Sequence, residues 1–113
     1  MLTHMHIRNF TIADEVEVEF GDGMTALTGE TGAGKSLLIG ALGLVLGDRA
    51  DSGLIRHGCE RAEIAVGFDI DRHTMLQDWL ESRELDAGGE CQLRRIISHE
   101  GRSRGYINNQ PVP

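Results

Sequence analysis

The stretch that decides the fold of this chain is Gly29-Glu30-Thr31-Gly32-Ala33-Gly34-Lys35-Ser36. It fills every position of the phosphate-binding loop G-x-x-x-x-G-K-[S/T]. Glycines there let successive backbone N–H groups turn toward phosphate oxygens, which side chains would block. In such a loop the Lys35 ammonium reaches the β- and γ-phosphates, and the Ser36 hydroxyl joins the shell of a magnesium ion. The sequence therefore predicts that the chain binds a nucleoside triphosphate with Mg²⁺.

The residues on either side of this loop favour a strand before it and a helix after it. The segment 24–28 is short and mostly apolar, which suits a strand. From residue 35 to residue 46, apolar residues recur at the spacing of a helix. Gly40 and Gly43 each weaken that helix by up to about 1 kcal/mol relative to alanine, and Gly47 is a suitable stop. A helix that starts at the loop also directs its first N–H groups and its dipole at a bound anion. This context favours a phosphate site over an isolated glycine turn.

Outside the loop the chain is predicted to consist mainly of strands. Val16, Val18 and Phe20 alternate with three glutamates, which is typical of a strand with one face in solvent. A short helix is predicted from Thr74, and turns at 21–23 and 86–89. The predicted strands are 2–10, 15–20, 62–70, 91–98 and 103–108.

Length and composition indicate one small globular domain. The 113 residues, 40% hydrophobic and 26% charged, are enough for a single core, so residues 1–113 are expected to form one domain. No apolar run approaches the roughly 20 residues that span a bilayer, and no signal peptide is visible at the amino terminus. Cys59 and Cys91 lack metal-ligand spacing and are expected to be reduced thiols. We expect a cytoplasmic protein without a membrane partner.

Charge is distributed unevenly along the chain. The net charge is −7, but residues 1–90 carry seven basic and seventeen acidic side chains. Residues 91–113 carry a net +3, because four arginines stand against Glu100 alone. A basic end on an acidic body can form a local anion-binding surface, and a solvated edge is the alternative. These arginines are Arg94, Arg95, Arg102 and Arg104.

Hydrolysis of a triphosphate needs a magnesium carboxylate and a residue that positions water. Asp69 ends an apolar strand and is a candidate ligand, although an ordinary surface role is favoured. Residues 85–90 resemble the signature motif of ABC-type ATPases, but a strand-like stretch follows them and a turn is favoured. The sequence therefore contains no convincing catalytic carboxylate.

Three further groups are expected to be structural. His4 and His6 share a strand face but lack a third metal ligand. Trp79 and its apolar neighbours are predicted to be helix core rather than a platform for base stacking. The three glutamates at 15, 17 and 19 are predicted to form a solvated face.

Several stretches together match one known family: Ile7-Arg8-Asn9-Phe10, Thr28 through Ser36, Leu46-Gly47-Asp48-Arg49-Ala50, Arg94-Arg95-Ile96-Ile97-Ser98 and Gly101-Arg102-Ser103-Arg104-Gly105-Tyr106-Ile107-Asn108. With them, the chain as a whole resembles the amino terminus of the RecN family, the SMC-like ATPases of bacterial DNA double-strand-break repair. One departure is Gly40, where that family would have aspartate.

This resemblance implies an α/β P-loop lobe of an ABC-type ATPase head. It would comprise a core β-sheet, the helix after the loop and an antiparallel β subdomain. The carboxyl-terminal half of the head would supply the signature motif, the magnesium aspartate and the catalytic glutamate, so this lobe alone should be inactive. Two ATP molecules would be sandwiched between the heads of a homodimer, and their closure would be coupled to DNA, in the cytoplasm at the nucleoid. Asn9 would line the base or ribose, and Arg49 and Arg56 would lie near DNA.

Two other functions stay open from the residues alone. A small self-contained P-loop kinase or GTPase would need Asp69 as its magnesium ligand. The guanine-specificity motif N-K-x-D is excluded, because Lys35 is the only lysine in the chain. A module that binds nucleotide only as a structural ligand is the second alternative.

Overall fold

A computed structural model describes residues 1–20, 31–100 and 103–113, and of residues 31–34 it describes the backbone alone. The strands are β1 (Leu2–Phe10), β2 (Ala13–Glu19), β3 (Arg61–Asp69), β4 (Glu90–Ser98), β5 (Ser103–Ile107) and β6 (Gln110–Val112). The helices are α1 (Thr31–Val45) and α2 (Thr74–Ser82), and a 3-10 turn spans Ser52–Leu54. The strand predicted at 24–28 and the turn at 21–23 lie outside the described residues.

The six described strands form one sheet in the order β2-β1-β3-β4-β5-β6, and every neighbouring pair is antiparallel. Alternation along the strands separates the two faces of the sheet. In β3, Ala62, Ile64 and Val66 have no exposed surface, whereas Glu63 on the opposite face is half-buried. The predicted α/β lobe is confirmed, and its described strands belong to one continuous sheet.

Helix α1 covers one face of this sheet, which we call the inner face; the other is the outer face. Ala41 and Leu44 of α1 are buried in a core cluster that also contains Ile7 of β1 and Ile64 of β3. The outer face carries polar side chains: the strand register places Glu63 of β3 beside Arg8 of β1. Burial of one face and solvation of the other explain why β1 to β3 read as alternating sequences.

The carboxyl end of α1 is closed by a Schellman motif. Gly47 has φ +120°, its N–H donates to the Leu44 carbonyl (3.2 Å), and the Asp48 N–H donates to the Gly43 carbonyl (2.9 Å). Only glycine adopts this φ without strain, since a Cβ would crowd the backbone. The predicted helix stop at Gly47 is confirmed.

Gly40 inside α1 and Gly47 just after it should therefore respond oppositely to alanine. Gly47→Ala should lower the free energy of unfolding by about 1–2 kcal/mol, because it forces a side chain into a left-handed backbone. Gly40→Ala should raise it by up to about 1 kcal/mol, because alanine favours helix. A Cβ at Gly40 meets no atom within 4 Å. Urea denaturation followed by circular dichroism measures both, and a Gly47→Ala variant as stable as wild type would contradict the motif's role.

Helix α2 packs through a single buried side chain. Leu80 is 1% exposed and joins Ile70, Leu85 and Cys91 in a second core cluster. The prediction that Trp79 is helix core is wrong: Trp79 is 43% exposed, and the Arg83 guanidinium lies 4.4 Å from its ring centroid. A helix of nine residues presents one narrow side to the sheet, and Leu80 occupies it.

Both cysteines are free thiols, as predicted. Cys91 is buried in the second cluster, and burial raises the pKa of its thiol because the thiolate is poorly solvated there. The neutral thiol is therefore the stable form of Cys91 in the folded chain at neutral pH. Among the described helices, none is long and apolar enough to cross a membrane.

Candidate nucleotide-binding site

Helix α1 begins inside the phosphate-loop motif. It starts at Thr31, and the first four backbone N–H groups of a helix, here those of residues 31–34, have no acceptor within the helix and can bind an anion. Lys35 and Ser36 follow one turn later, and both side chains are exposed. Gly29 and Glu30 lie outside the described residues, and of Thr31, Gly32, Ala33 and Gly34 only the backbone is described.

The charges at the start of α1 suit a phosphate group. No acidic residue lies in the first turn, and no carboxylate of the described residues pairs with Lys35. The lysine ammonium and the positive end of the helix dipole therefore both attract an anion to this end of α1. The described residues contain no group of three His, Cys, Asp or Glu side chains that could hold a metal ion.

Asn9 lies near the end of β1 (Leu2–Phe10), beside the segment that follows α1. Its carbonyl accepts a hydrogen bond from the Arg56 N–H (2.8 Å), and the Thr11 N–H donates to the Leu54 carbonyl (2.7 Å). Asn9 has φ +53°, a left-handed conformation that asparagine tolerates better than most residues. The Arg56 guanidinium is 3.8 Å from the Asp14 carboxylate. The structure thus brings Asn9 and Arg56 together, although they are far apart in sequence.

The same end of the sheet also carries the start of β5. Because the strands are antiparallel, the β1–β2 turn, the start of β3 and the β4–β5 connection share this end. The His99 N–H donates to the Glu60 carbonyl (3.0 Å), which ties the connection to the start of β3. Arg104 is exposed here, and Arg49 is exposed in the segment after α1. Arg102 lies outside the described residues.

Arg94 and Arg95 point to opposite faces of the sheet. Arg94 is on the outer face, where its guanidinium lies 4.4 Å from the Tyr106 ring centroid and 3.6 Å from the Glu63 carboxylate. Arg95 is on the inner face, and its guanidinium donates to backbone carbonyls at the end of α1. Arg94 and Arg95 are adjacent in sequence, but successive side chains in a strand point to opposite faces of the sheet. Among the described arginines of this stretch, Arg95 is held against the end of α1, whereas Arg94 and Arg104 lie on the outer face.

The two carboxylate candidates have ordinary structural roles. The Asp69 side chain accepts the Asp71 N–H (3.0 Å) and so closes the turn after β3. The turn favoured at 85–90 is confirmed: Ala87 bridges to Gly89 and Glu90, and Gly88 has φ +64°. Neither segment forms the start of a helix that could face a phosphate.

The histidines and glutamates of β1 and β2 form cross-strand contacts on the outer face. His6 Nε2 lies 2.7 Å from Glu15 Oε2, and this hydrogen bond holds the pKa of the Glu15 carboxyl below its usual value. Glu15, Glu17 and Glu19 are all exposed, which confirms the predicted solvated face.

Comparison with known proteins matches nearly the whole chain. A family model described as an AAA domain matches residues 4–110. The chain is 54% identical over 112 residues to the DNA repair protein RecN of Xylella fastidiosa (strain Temecula1 / ATCC 700964). It is 49% identical over 113 residues to the DNA repair protein RecN of Vibrio cholerae serotype O1. These alignments cover 99% and 100% of this chain but only 20% of each relative.

A solved structure shares the fold. It is described as structural biochemistry of ATP-driven dimerization and DNA stimulated activation of SMC ATPases. The TM-score is 0.73 at 25% identity, over 99% of this chain and 72% of that chain. The predicted resemblance to RecN proteins and the predicted head-lobe fold are therefore confirmed, while this chain spans about a fifth of the length of the RecN relatives it matches.

Proposed function

The chain belongs to the AAA domain family, and on that basis we propose that it is the ATP-binding lobe of an SMC-like ATPase that acts in DNA double-strand-break repair and recombination. The observation that carries this proposal is the complete phosphate loop, with Lys35 exposed one turn after the start of α1. The identity to DNA repair proteins RecN supports the repair role. Because the chain spans a fifth of those relatives, the activity of the whole protein is part of the proposal.

ATP with Mg²⁺ is the proposed cofactor pair. The N–H groups at the start of α1 would hold phosphate oxygens, Lys35 would neutralise the β- and γ-phosphates, and Ser36 would bind Mg²⁺. Gly29, Glu30 and residues 31–34 would complete the loop, and Asn9 would contact the base or ribose. Hydrolysis would need carboxylates from the carboxyl-terminal half of the same head, so the isolated lobe would bind ATP without turning it over.

Dimerisation of heads and DNA binding extend the proposal. The SMC structure that shares this fold concerns ATP-driven dimerization and DNA-stimulated activation, which supports a homodimer of heads with ATP between them. Arg49 and Arg104 are exposed, and Arg56 and Arg94 are half-buried. Together with Arg102, these are the arginines that would contact DNA phosphates. Such a protein would work in the cytoplasm at the nucleoid.

A self-contained kinase or GTPase receives less support. It would need the Asp69 carboxylate for magnesium, and that carboxylate closes a turn instead. A module that binds nucleotide without turnover differs from our proposal in one measurable respect, since it would never hydrolyse ATP even in the full-length protein.

DNA-stimulated ATP hydrolysis by the full-length protein tests this function. We expect stimulation that weakens as salt rises from low to physiological concentration, because phosphate contacts release counterions. Arg49→Ala, Arg56→Ala and a combined Arg94/Arg102/Arg104 alanine variant should each reduce stimulation. In a plot of the logarithm of the DNA-binding constant against the logarithm of salt concentration, the slope is negative. Its magnitude should decrease by about one for each arginine–phosphate pair that the substitution removes. Robust turnover by the 113-residue chain alone, abolished by Asp69→Asn, would instead support the kinase-like alternative.

A further inference from the structure

We infer that Arg95 is a positioning residue for the nucleotide site, because it ties the β4–β5 hairpin to the carboxyl end of the helix whose other end carries Lys35. This inference rests on the proposed function. Arg95 contacts neither nucleotide nor DNA in this inference. It links the β4–β5 hairpin to the nucleotide site through α1, within the lobe.

Three hydrogen bonds hold the Arg95 guanidinium between two elements. Its Nη1 donates to the Leu44 carbonyl (2.6 Å) and to the Asp48 carbonyl, both at the end of α1. Its Nε donates to the Ser103 hydroxyl (2.7 Å) on β5. A planar guanidinium with acceptors on both sides fixes the distance and the angle between them better than a single hydrogen bond does.

The electrostatics at this end of α1 favour a cation. The last carbonyls of a helix carry a partial negative charge, and a guanidinium in contact with them is stabilised. The segment after α1 folds back tightly, since a Cβ at Gly43 would overlap the Asp48 carboxyl group. Arg95 therefore binds a compact helix end rather than a loose tail.

Helix α1 can carry a displacement from one end to the other. It has fifteen residues, and Lys35 and Leu44 are separated by about 13 Å at the helical rise per residue. Because a helix of this length moves as a nearly rigid rod, the position of its carboxyl end sets that of Lys35 and Ser36. By reciprocity, ATP at the start of α1 should stabilise the Arg95 contacts and, through Ser103, the hairpin.

Arg94 provides a matched control. It precedes Arg95 in the same strand, has the same charge, and contacts Tyr106 and Glu63 on the outer face. Substitution of Arg94 removes an arginine from β4 without touching the contacts to α1.

The experiment compares Arg95→Gln, Arg95→Lys and Arg94→Gln with wild type in the full-length protein. Isothermal titration with ATP–Mg²⁺ gives the Kd, and hydrogen exchange with and without ATP–Mg²⁺ gives the protection of residues 103–107. Arg95→Gln should raise the Kd about five- to tenfold, Arg95→Lys about two- to threefold, and Arg94→Gln less than about twofold. The protection of 103–107 that ATP induces should persist in Arg94→Gln and disappear in Arg95→Gln, a change that a general loss of stability would not produce.

The outcomes separate the inference from the proposed function. If wild type binds no ATP, the proposed function fails and the inference fails with it. If wild type binds ATP and a folded Arg95→Gln variant shows the same Kd and the same ATP-induced protection, the inference alone is overturned. If Arg95→Gln does not fold, Arg95→Lys decides the matter, and a wild-type Kd with wild-type protection in that variant overturns the inference.

Discussion

Lys35→Ala should raise the Kd of the chain for ATP–Mg²⁺ by about 100-fold, because hydrogen bonds to charged groups contribute up to about 3 kcal/mol and each 1.4 kcal/mol is about tenfold in affinity. Lys35 is the only lysine in the chain and has no carboxylate partner among the described residues. If the proposed function holds, its removal deletes the one lysine ammonium that would neutralise the phosphates, while the N–H groups of residues 31–34 would still hold phosphate weakly. Isothermal titration with ATP–Mg²⁺ measures the change.

The same side chain should be dispensable for folding. Lys35 is exposed, so Lys35→Ala should change the free energy of unfolding by less than about 0.5 kcal/mol. Lys35→Arg keeps the charge but not the compact ammonium, and it should recover part of the affinity. A stable Lys35→Ala variant that binds ATP–Mg²⁺ within about threefold of wild type would remove the basis for the nucleotide site.

Ile64→Ala should remove about 2–5 kcal/mol from the stability of the chain, because it deletes three carbon atoms from a packed core and leaves a cavity. Ile64 has no exposed surface and sits in β3, between β1 and β4, with α1 above it. Small domains are stable by only about 5–15 kcal/mol in total. The variant should therefore unfold at much lower urea concentration, as circular dichroism would show.

Ile12→Ala is the matched control for that loss. Ile12 is 82% exposed in the turn between β1 and β2, so the same chemical change should cost less than about 0.5 kcal/mol. Equal destabilisation by the two substitutions would mean that Ile64 is not at the centre of the core. A large effect of Ile12→Ala alone would mean that this turn is covered by another part of the protein.

Features that depend on neighbouring residues alone could be assigned before the fold was known. The phosphate loop is contiguous, so the roles of Lys35 and Ser36 can be predicted from spacing alone. The stop at Gly47 also follows from local chemistry, since a Schellman end needs only a glycine and the helix before it. The strands β1 to β5, to within two residues of their limits, and the solvated face of β2 follow from alternation, which reports the environment of each residue and needs no knowledge of its partner, whereas the short β6 was not predicted.

Which of these elements meet is settled by packing across the whole chain. Alternation shows that β1 has an apolar face but not that β3, beyond α1, pairs with it. Alternation places Arg94 and Arg95 on opposite faces of the sheet but does not show which face α1 covers. The sequence therefore could not show which of the two arginines contacts α1. Trp79 was misjudged for a related cause, because apolar spacing groups it with Leu80 but does not show which of the two packs against the sheet. Contacts such as Arg95 to Leu44 join residues far apart in the chain, and their partners are selected when the whole sheet packs against α1.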